Sequence, residues 1–458
     1  MSEGNVASGR KSGLLTGSSL RSRVMRSSAL TMAGFGFSQG LRLVSNLLLT
    51  RLLFPEAFGL MALIMVFMVG LAMFSDVGIG PAIARSTRGD DPLFLDTIWT
   101  VQILRGVLLF VAGCLLAHPV SVLYDEPLLF GMLILASVQF LVQGIMPTRR
   151  ETANRHLALG LVTLLEMLAQ IVALIILLGL ALWLQSVWAL VIGTVIGAAV
   201  QVTLMTLFLP GHRNSMRIES EALREVIQFG KWIFLSTIFG FLVAQGDKLI
   251  LGKFLALDLF GIYSIGFFLG SFPIMLGLMV IGRVLIPVYR DCPPAASREN
   301  FLKLRKMRVL MTAGLLLLLG GLAFAGPWLV DLMYDDRYLS AGAVVVLIAC
   351  INIPLAIGLT YDQAALAAGE SRRYSFLTMT KAIFVILGLW IGVQTGGLIG
   401  ALIGQGLGNI AAYPALVWLS SRLGVWDPLH DVGFAVLGLM LACGAIWWNW
   451  DAIAALAA

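Results

Sequence analysis

Nine charged side chains sit inside long apolar stretches: Arg42, Asp76, Arg105, Glu166, Asp247, Lys248, Arg283, Asp362 and Lys381. A charge at the centre of a bilayer costs at least ~2.5–3.5 kcal/mol, so each of these needs a cavity or a partner. Guanidinium and ammonium groups hold phosphate and diphosphate, arginine through paired donors and lysine as a point charge. Arg42, Arg105, Lys248 and Arg283 are therefore candidate anion ligands. Burial disfavours an ionised carboxyl, which makes Glu166, Asp247, Asp76 and Asp362 candidate carriers of a coupling H+ or Na+. Polar rows accompany the charges. Gln39, Arg42 and Asn46 recur at i, i+3, i+7; Thr163, Glu166 and Gln170 share a face; Gln405, Asn409 and Tyr413 recur at i, i+4, i+8. Amides replace water around sugar hydroxyls, which adds Gln39, Asn46, Gln405 and Asn409 to the candidate substrate site. The competing role for every one of these charges is an internal ion pair that fixes helix packing. Lys381 lies two turns into its span, from where its ammonium can snorkel to the surface, and Asp247 and Lys248 point about 100° apart on a helix and need not pair.

Other chemistry is absent from the sequence. The four cysteines and four histidines are widely scattered, with no metal-ligand spacing, and neither a GxxxxGK[ST] loop nor a GxSxG elbow occurs. No catalytic residue, resident cofactor or metal is expected. Of 458 residues, 59% are apolar and only 12% charged, and mean hydropathy is +0.93. That excludes a soluble enzyme, a secreted disulfide scaffold and a disordered regulator. The net charge of +6 comes from basic residues placed between apolar stretches, which fits membrane orientation and lipid headgroups rather than nucleic acid.

Crossing the hydrocarbon layer takes about 20 helical residues. That length predicts thirteen spans, near 28–53, 58–84, 94–117, 128–148, 157–183, 186–209, 230–254, 260–288, 309–333, 342–367, 375–395, 397–420 and 432–450. With the N-terminus in the cytoplasm, cytoplasmic segments hold 23 of the 31 Lys and Arg residues, counting Arg308 among them. The expected organisation is a basic tail over 1–27, a first bundle over 28–209, a charged linker over 210–229, a second bundle over 230–420 and an extra helix within 421–458. The linker and the basic run 289–308 read either as surface-lying amphipathic segments or as solvated loops.

The two bundles repeat one another. Leu49–Gly59 matches Leu251–Gly261 at an offset of 202, which aligns Phe58-Gly59 with Phe260-Gly261. Val120–Glu126 matches Val330–Asp336, and Ile192–Gly197 matches Ile399–Gly404. Six helices per copy is an even number, so both copies enter the membrane in the same sense. The fold class expected is an all-α polytopic membrane protein of about 12–14 transmembrane helices, in two parallel-repeat six-helix bundles around a central cleft. The glycine ladder Gly396, Gly400, Gly404 and Gly408 marks close helix packing.

These pieces resemble a known pattern. Thr50–Gly59 at the end of the first helix, Ser75–Ala82 ending the second, Leu123–Glu126, the basic run Arg149-Arg150 to Arg155, the echo at 251–261 and Gly369–Arg373 occur in order over residues 20–420. The chain resembles the Wzx-like oligosaccharide flippases, polysaccharide biosynthesis membrane proteins of the multidrug/oligosaccharidyl-lipid/polysaccharide exporter superfamily. The resemblance implies a multi-pass protein of the bacterial inner membrane. It would move a polyprenyl-diphosphate-linked oligosaccharide across that membrane by alternating access, for exopolysaccharide, O-antigen or capsule assembly. The partners so implied are the lipid-linked substrate, membrane lipids, a polysaccharide polymerase and a chain-length regulator. A cation-coupled multidrug exporter and a lipid II flippase are the transporter alternatives; the bases among the span charges argue against a cavity for cationic drugs. A membrane polymerase or ligase would need a large outer loop, and every outer loop here is short.

Overall fold

Lipid offers backbone N–H and C=O groups no partner, and the described residues form helices, with no strand. The structure, a computed structural model, describes residues 20–76, 78–224 and 233–457. In order the helices are α1 (Leu20–Leu52), α2 (Pro55–Phe74), α3 (Ile79–Arg85), α4 (Pro92–Leu123), α5 (Leu128–Gly144), α6 (Arg149–Arg155), α7 (Leu159–Leu184) and α8 (Trp188–Phe208). They continue with α9 (Ile233–Phe254), α10 (Leu257–Gly270), α11 (Phe272–Asp291), α12 (Arg298–Met333), α13 (Ala341–Ile351), α14 (Ile353–Ala367), α15 (Ser371–Ala411), α16 (Tyr413–Arg422), α17 (Pro428–Trp448) and α18 (Trp450–Ala457). Each of the thirteen expected spans coincides with one or two of these helices. Eight helices among the described residues are long and apolar enough to cross a bilayer, or ten if each of two bent pairs, α5 with α6 and α13 with α14, is one span. Residues 1–19 of the expected basic tail lie outside the described residues.

Starts and breaks follow local chemistry. Asp91 accepts from Leu93 N at 3.1 Å and Pro92 opens α4; Ser297 accepts from Asn300 N at 3.1 Å to start α12; Asp427 does the same for α17. The helix α12 begins at Arg298, eleven residues before the expected span, so most of the basic run 289–308 is helical and only 292–297 connects α11 to α12. Inside α15, Gly396 and Gly397 leave helical geometry, and Gly397 takes φ 57° with ψ −137°, a conformation open to glycine. The helix folds back there into two antiparallel arms. A Cβ on Gly392 would overlap the carbonyl of Gly400, and one on Gly388 the carbonyl of Gly404. A Cβ on Gly408 would likewise overlap the carbonyl of Phe384, so three of the ladder glycines pack one arm on the other, while Gly396 forms the turn.

The chain divides into two compact units, Met1–Leu52 with Leu71–Phe234, and Leu53–Gly70 with Leu235–Ala458. The segment Leu53–Gly70, expected within the first bundle, groups with the second unit. Its reason is backbone contact: a Cβ on Gly59 would overlap the Leu257 carbonyl, and one on Gly261 the Pro55 carbonyl. Pro55 and Leu257, like Gly59 and Gly261, are repeat equivalents at offset 202, so the crossing is symmetric in the repeat register. Tyr338 reinforces it by donating to Leu53 O at 2.8 Å and meeting the Phe58 ring edge-on.

The linker differs most from expectation. Residues 212–219 have no regular secondary structure and lie on the first unit as a strap, residues 220–224 are helical, and 225–229 lie outside the described residues. Three alternating strap amides donate to side chains at the start of α4: Ser215 N to Asp96 Oδ1 (2.9 Å), Arg217 N to Thr100 Oγ1 (3.1 Å) and Glu219 N to Thr97 Oγ1 (3.0 Å). Asp96, 2% exposed, also accepts from Ser215 Oγ (2.6 Å) and meets His212 Nε2 (2.7 Å). The helix α4 thereby supplies, from side chains, the partners that a neighbouring strand would supply from its backbone. Arg149 completes the anchorage by donating to the carbonyls of Leu209 (2.6 Å) and His212 (3.0 Å).

Candidate functional site

Within the first unit a cavity of about 410 Å³ sits where α2 breaks, lined by Asp76, Gln102, Arg105, Gln143, Arg150, Glu151 and Gln201 among others. The break orphans carbonyls at the end of α2, and α4 supplies the partners. Arg105 donates through Nε to Ser75 Oγ (3.0 Å) and through Nη2 to Ala72 O (2.9 Å). Asp76 accepts from Gly78 N at 2.9 Å and so holds the turn into α3. One helical turn before Arg105, Gln102 donates to the carbonyls of Gln143, Gly144 and Met146, each at 3.1 Å, at the end of α5. Two side chains of α4, three residues apart, thus close two broken helix ends and face one cavity.

The charges there are asymmetric. Arg150 gives two donors to Glu166 Oε1 (3.1 and 2.9 Å) and one to Glu151 Oε1 (3.1 Å), so two carboxylates share one guanidinium. Arg105 hydrogen-bonds neutral oxygens and, among the described residues, forms no ion pair within 4.0 Å, with the Asp76 carboxylate farther off but within electrostatic reach. A guanidinium bonded to neutral oxygens and three glutamine amides in one cavity can hold an anionic group beside hydroxyls.

Around the rim, outside the spans, further ion pairs brace the loops. Arg155 donates to the carbonyls of Ile83 and Ser86 (both 2.7 Å) and to Asp90 (3.2 Å), which His156 also contacts at 2.7 Å. That His156 hydrogen bond above all holds the Asp90 carboxyl below the usual carboxylate range. Arg88 does the same to Asp91. The arginines of the 149–155 run are therefore braces: two of them tie helix ends and the linker, and the third neutralises glutamates.

The second unit holds an apolar groove of about 580 Å³ between α14, the second arm of α15 and α17, with Lys381, Asn409, Tyr413 and Asp431 as its polar residues. Asp431 is 5% exposed and accepts from Tyr361 OH (2.7 Å), Trp426 Nε1 (3.1 Å), Tyr413 OH and His430 Nδ1 (2.8 Å). Neighbouring it is Arg308, 1% exposed, which donates to Tyr289 OH (3.0 Å) and lies 4.5 Å over the Tyr361 ring.

The sequence-derived candidates are dispersed. Arg105 and Asp76 share the first-unit cavity, and Glu166 reaches its edge through Arg150. Gln39, Arg42 and Asn46 keep their common place on α1 and do not line it. Asn409 lines the groove, while Gln405 Oε1 is buried without a hydrogen-bond partner. Asp247 and Lys248 do pair, at 3.4 Å, and Asp247 also accepts from Tyr263 OH (2.5 Å). Lys381 turns inward to both oxygens of Asp362 (3.1 and 2.9 Å) instead of snorkelling. The side chain of Arg283 lies outside the described residues. Sequence reasoning missed Arg308, placed in a loop by its basic neighbours, and Asp431 and Asp96, whose partners are up to 119 residues away.

Apolar helices enclosing a polar cavity define a multi-pass membrane protein. The fold is similar to that of solved flippases and transporters. It superposes on the lipid II flippase MurJ in an inward closed conformation (TM-score 0.69, 13% identity, 93% of this chain and 98% of that one). It also superposes on an inward-facing multidrug resistance MATE family transporter (TM-score 0.61, 15% identity, 84% and 94%). A family model described as polysaccharide biosynthesis protein matches residues 48–343, and the chain belongs to that family. Similar relatives are the amylovoran biosynthesis protein AmsL of Erwinia amylovora (25% identical, 70% of this chain, 84% of that one) and the lipopolysaccharide biosynthesis protein WzxC of Escherichia coli (22%, 80% and 74%). The teichuronic acid biosynthesis protein TuaB of Bacillus subtilis is 22% identical over 71% of this chain and 67% of its own.

Proposed function

We propose that this protein is a flippase that carries a polyprenyl-diphosphate-linked oligosaccharide across the bacterial inner membrane by alternating access, with its N-terminus in the cytoplasm. Three relatives named for three different polymers support a sugar-carrier role. The observation that carries the reading is the first-unit cavity: sugar hydroxyls find the amides of Gln102, Gln143 and Gln201, and an anionic group finds Arg105. The apolar groove of the second unit matches the chemistry of a prenyl chain. On this reading the protein makes and breaks no covalent bond.

The test is a strain lacking the protein, complemented with Arg105→Met at equal membrane levels. Export falls at least tenfold and lipid-linked precursor accumulates in the inner leaflet. Full export by the variant refutes the assignment of Arg105. Lost export of a drug, with polymer unaffected, refutes the flippase reading.

A further inference from the structure

A carboxylate among membrane helices has to be neutralised by a proton, by a bound cation or by a fixed base. In the second unit each intramembrane aspartate discussed above already has its donors. Lys381 Nζ of α15 straddles the Asp362 carboxylate of α14, 3.1 Å from one oxygen and 2.9 Å from the other. The pair is 18% and 13% exposed. Lys248 Nζ lies 3.4 Å from Asp247 and 4.1 Å from the centre of the Phe267 ring, with Tyr263 OH on the same carboxylate. Asp431 is held by two tyrosines, an indole and His430.

An ammonium bridging both oxygens of a carboxylate has the charge and coordination position of a bound monovalent metal ion. Tyr289 of α11 and Tyr374 of α15 are titratable groups within electrostatic reach of Asp362, and Arg308 of α12 stands behind Tyr289. None of them is a second acid that would call for a further cation. Lys381 also lines the 580 Å³ groove, so truncating it opens space beside Asp362.

We infer that Lys381 is a tethered counter-cation that occupies the cation seat at Asp362, so that this chain binds no Na+ there and deleting the ammonium creates a Na+ site. The consequence is a transporter whose second unit carries its own counter-ion. The inference does not depend on which solute is carried, and its test uses no substrate.

The full chain in nanodiscs is melted in increasing NaCl against choline chloride at constant ionic strength. The wild type shows no Na+-specific change. Lys381→Met, or Lys381→Gln if the first variant does not fold, gains a saturable rise in melting temperature of about 2 °C or more. Lys381→Met combined with Asp362→Asn loses it. A saturable Na+-specific rise in the wild type that Asp362→Asn abolishes overturns the inference, as does a folded Lys381→Met indifferent to Na+. The wild-type titration decides alone where neither neutral variant folds.

Discussion

The strap over 212–219 is held by side chains of α4 together with Thr148 and Arg149, and Asp96, which takes three of its bonds, is the one to remove. Its carboxylate holds Ser215 N (2.9 Å), Ser215 Oγ (2.6 Å) and His212 Nε2 (2.7 Å) from a position 2% exposed. Hydrogen bonds to a charged group contribute about 1.5–3 kcal/mol each. Bonds sharing one acceptor are not additive, and the half-exposed strap is rehydrated when released, so Asp96→Ala should cost about 3 kcal/mol of local stability. That is roughly a 150-fold rise in the opening equilibrium. Amide exchange followed by mass spectrometry in nanodiscs reads it directly. Peptides covering 210–224 exchange about two orders of magnitude faster, while those of α12 do not change. Thr97→Val and Thr100→Val, each removing one neutral acceptor, speed exchange by roughly tenfold. Unchanged strap exchange in Asp96→Ala would refute the anchorage, and equal acceleration across the whole first unit would show that Asp96 supports the bundle instead.

The α15 hairpin separates two adjacent glycines: Gly396→Ala meets no atom within 4 Å and leaves the melting temperature within error, whereas Gly397→Ala, at φ 57°, lowers it by the equivalent of about 1–3 kcal/mol. Equal melting temperatures for the two variants would contradict the turn. The Asp90 brace has a pH signature. Its carboxyl pKa is lowered, so its stabilisation is complete above ~4, the usual carboxylate value, and is lost only as pH falls through the lowered one. Exchange of the 86–91 amides, corrected for intrinsic rates, therefore does not speed up between pH 7 and pH 5; an acceleration beginning above pH 5 would contradict the brace.

Much of the fold was legible because its signals are local. A bilayer demands apolar runs of one length, so each expected span coincides with a helix, and the offset of 202 anticipated the positions where Gly59 and Gly261 meet. Of the site, Arg105 and Asp76 were reachable as charges in apolar runs. The strap was not, because its polar composition suits a free linker and a docked one equally.

Sequence alone determined that this chain is an all-helical membrane protein built from a repeated unit, since span length, apolar content and repeat register are properties of neighbouring residues. Tertiary structure decided which charges are partnered: Lys381 with Asp362, Arg308 with two tyrosines, Asp96 with a strap more than a hundred residues on. The physical reason is that the cost of an intramembrane charge is legible in its own helix, whereas what neutralises it comes from whichever helix packs alongside.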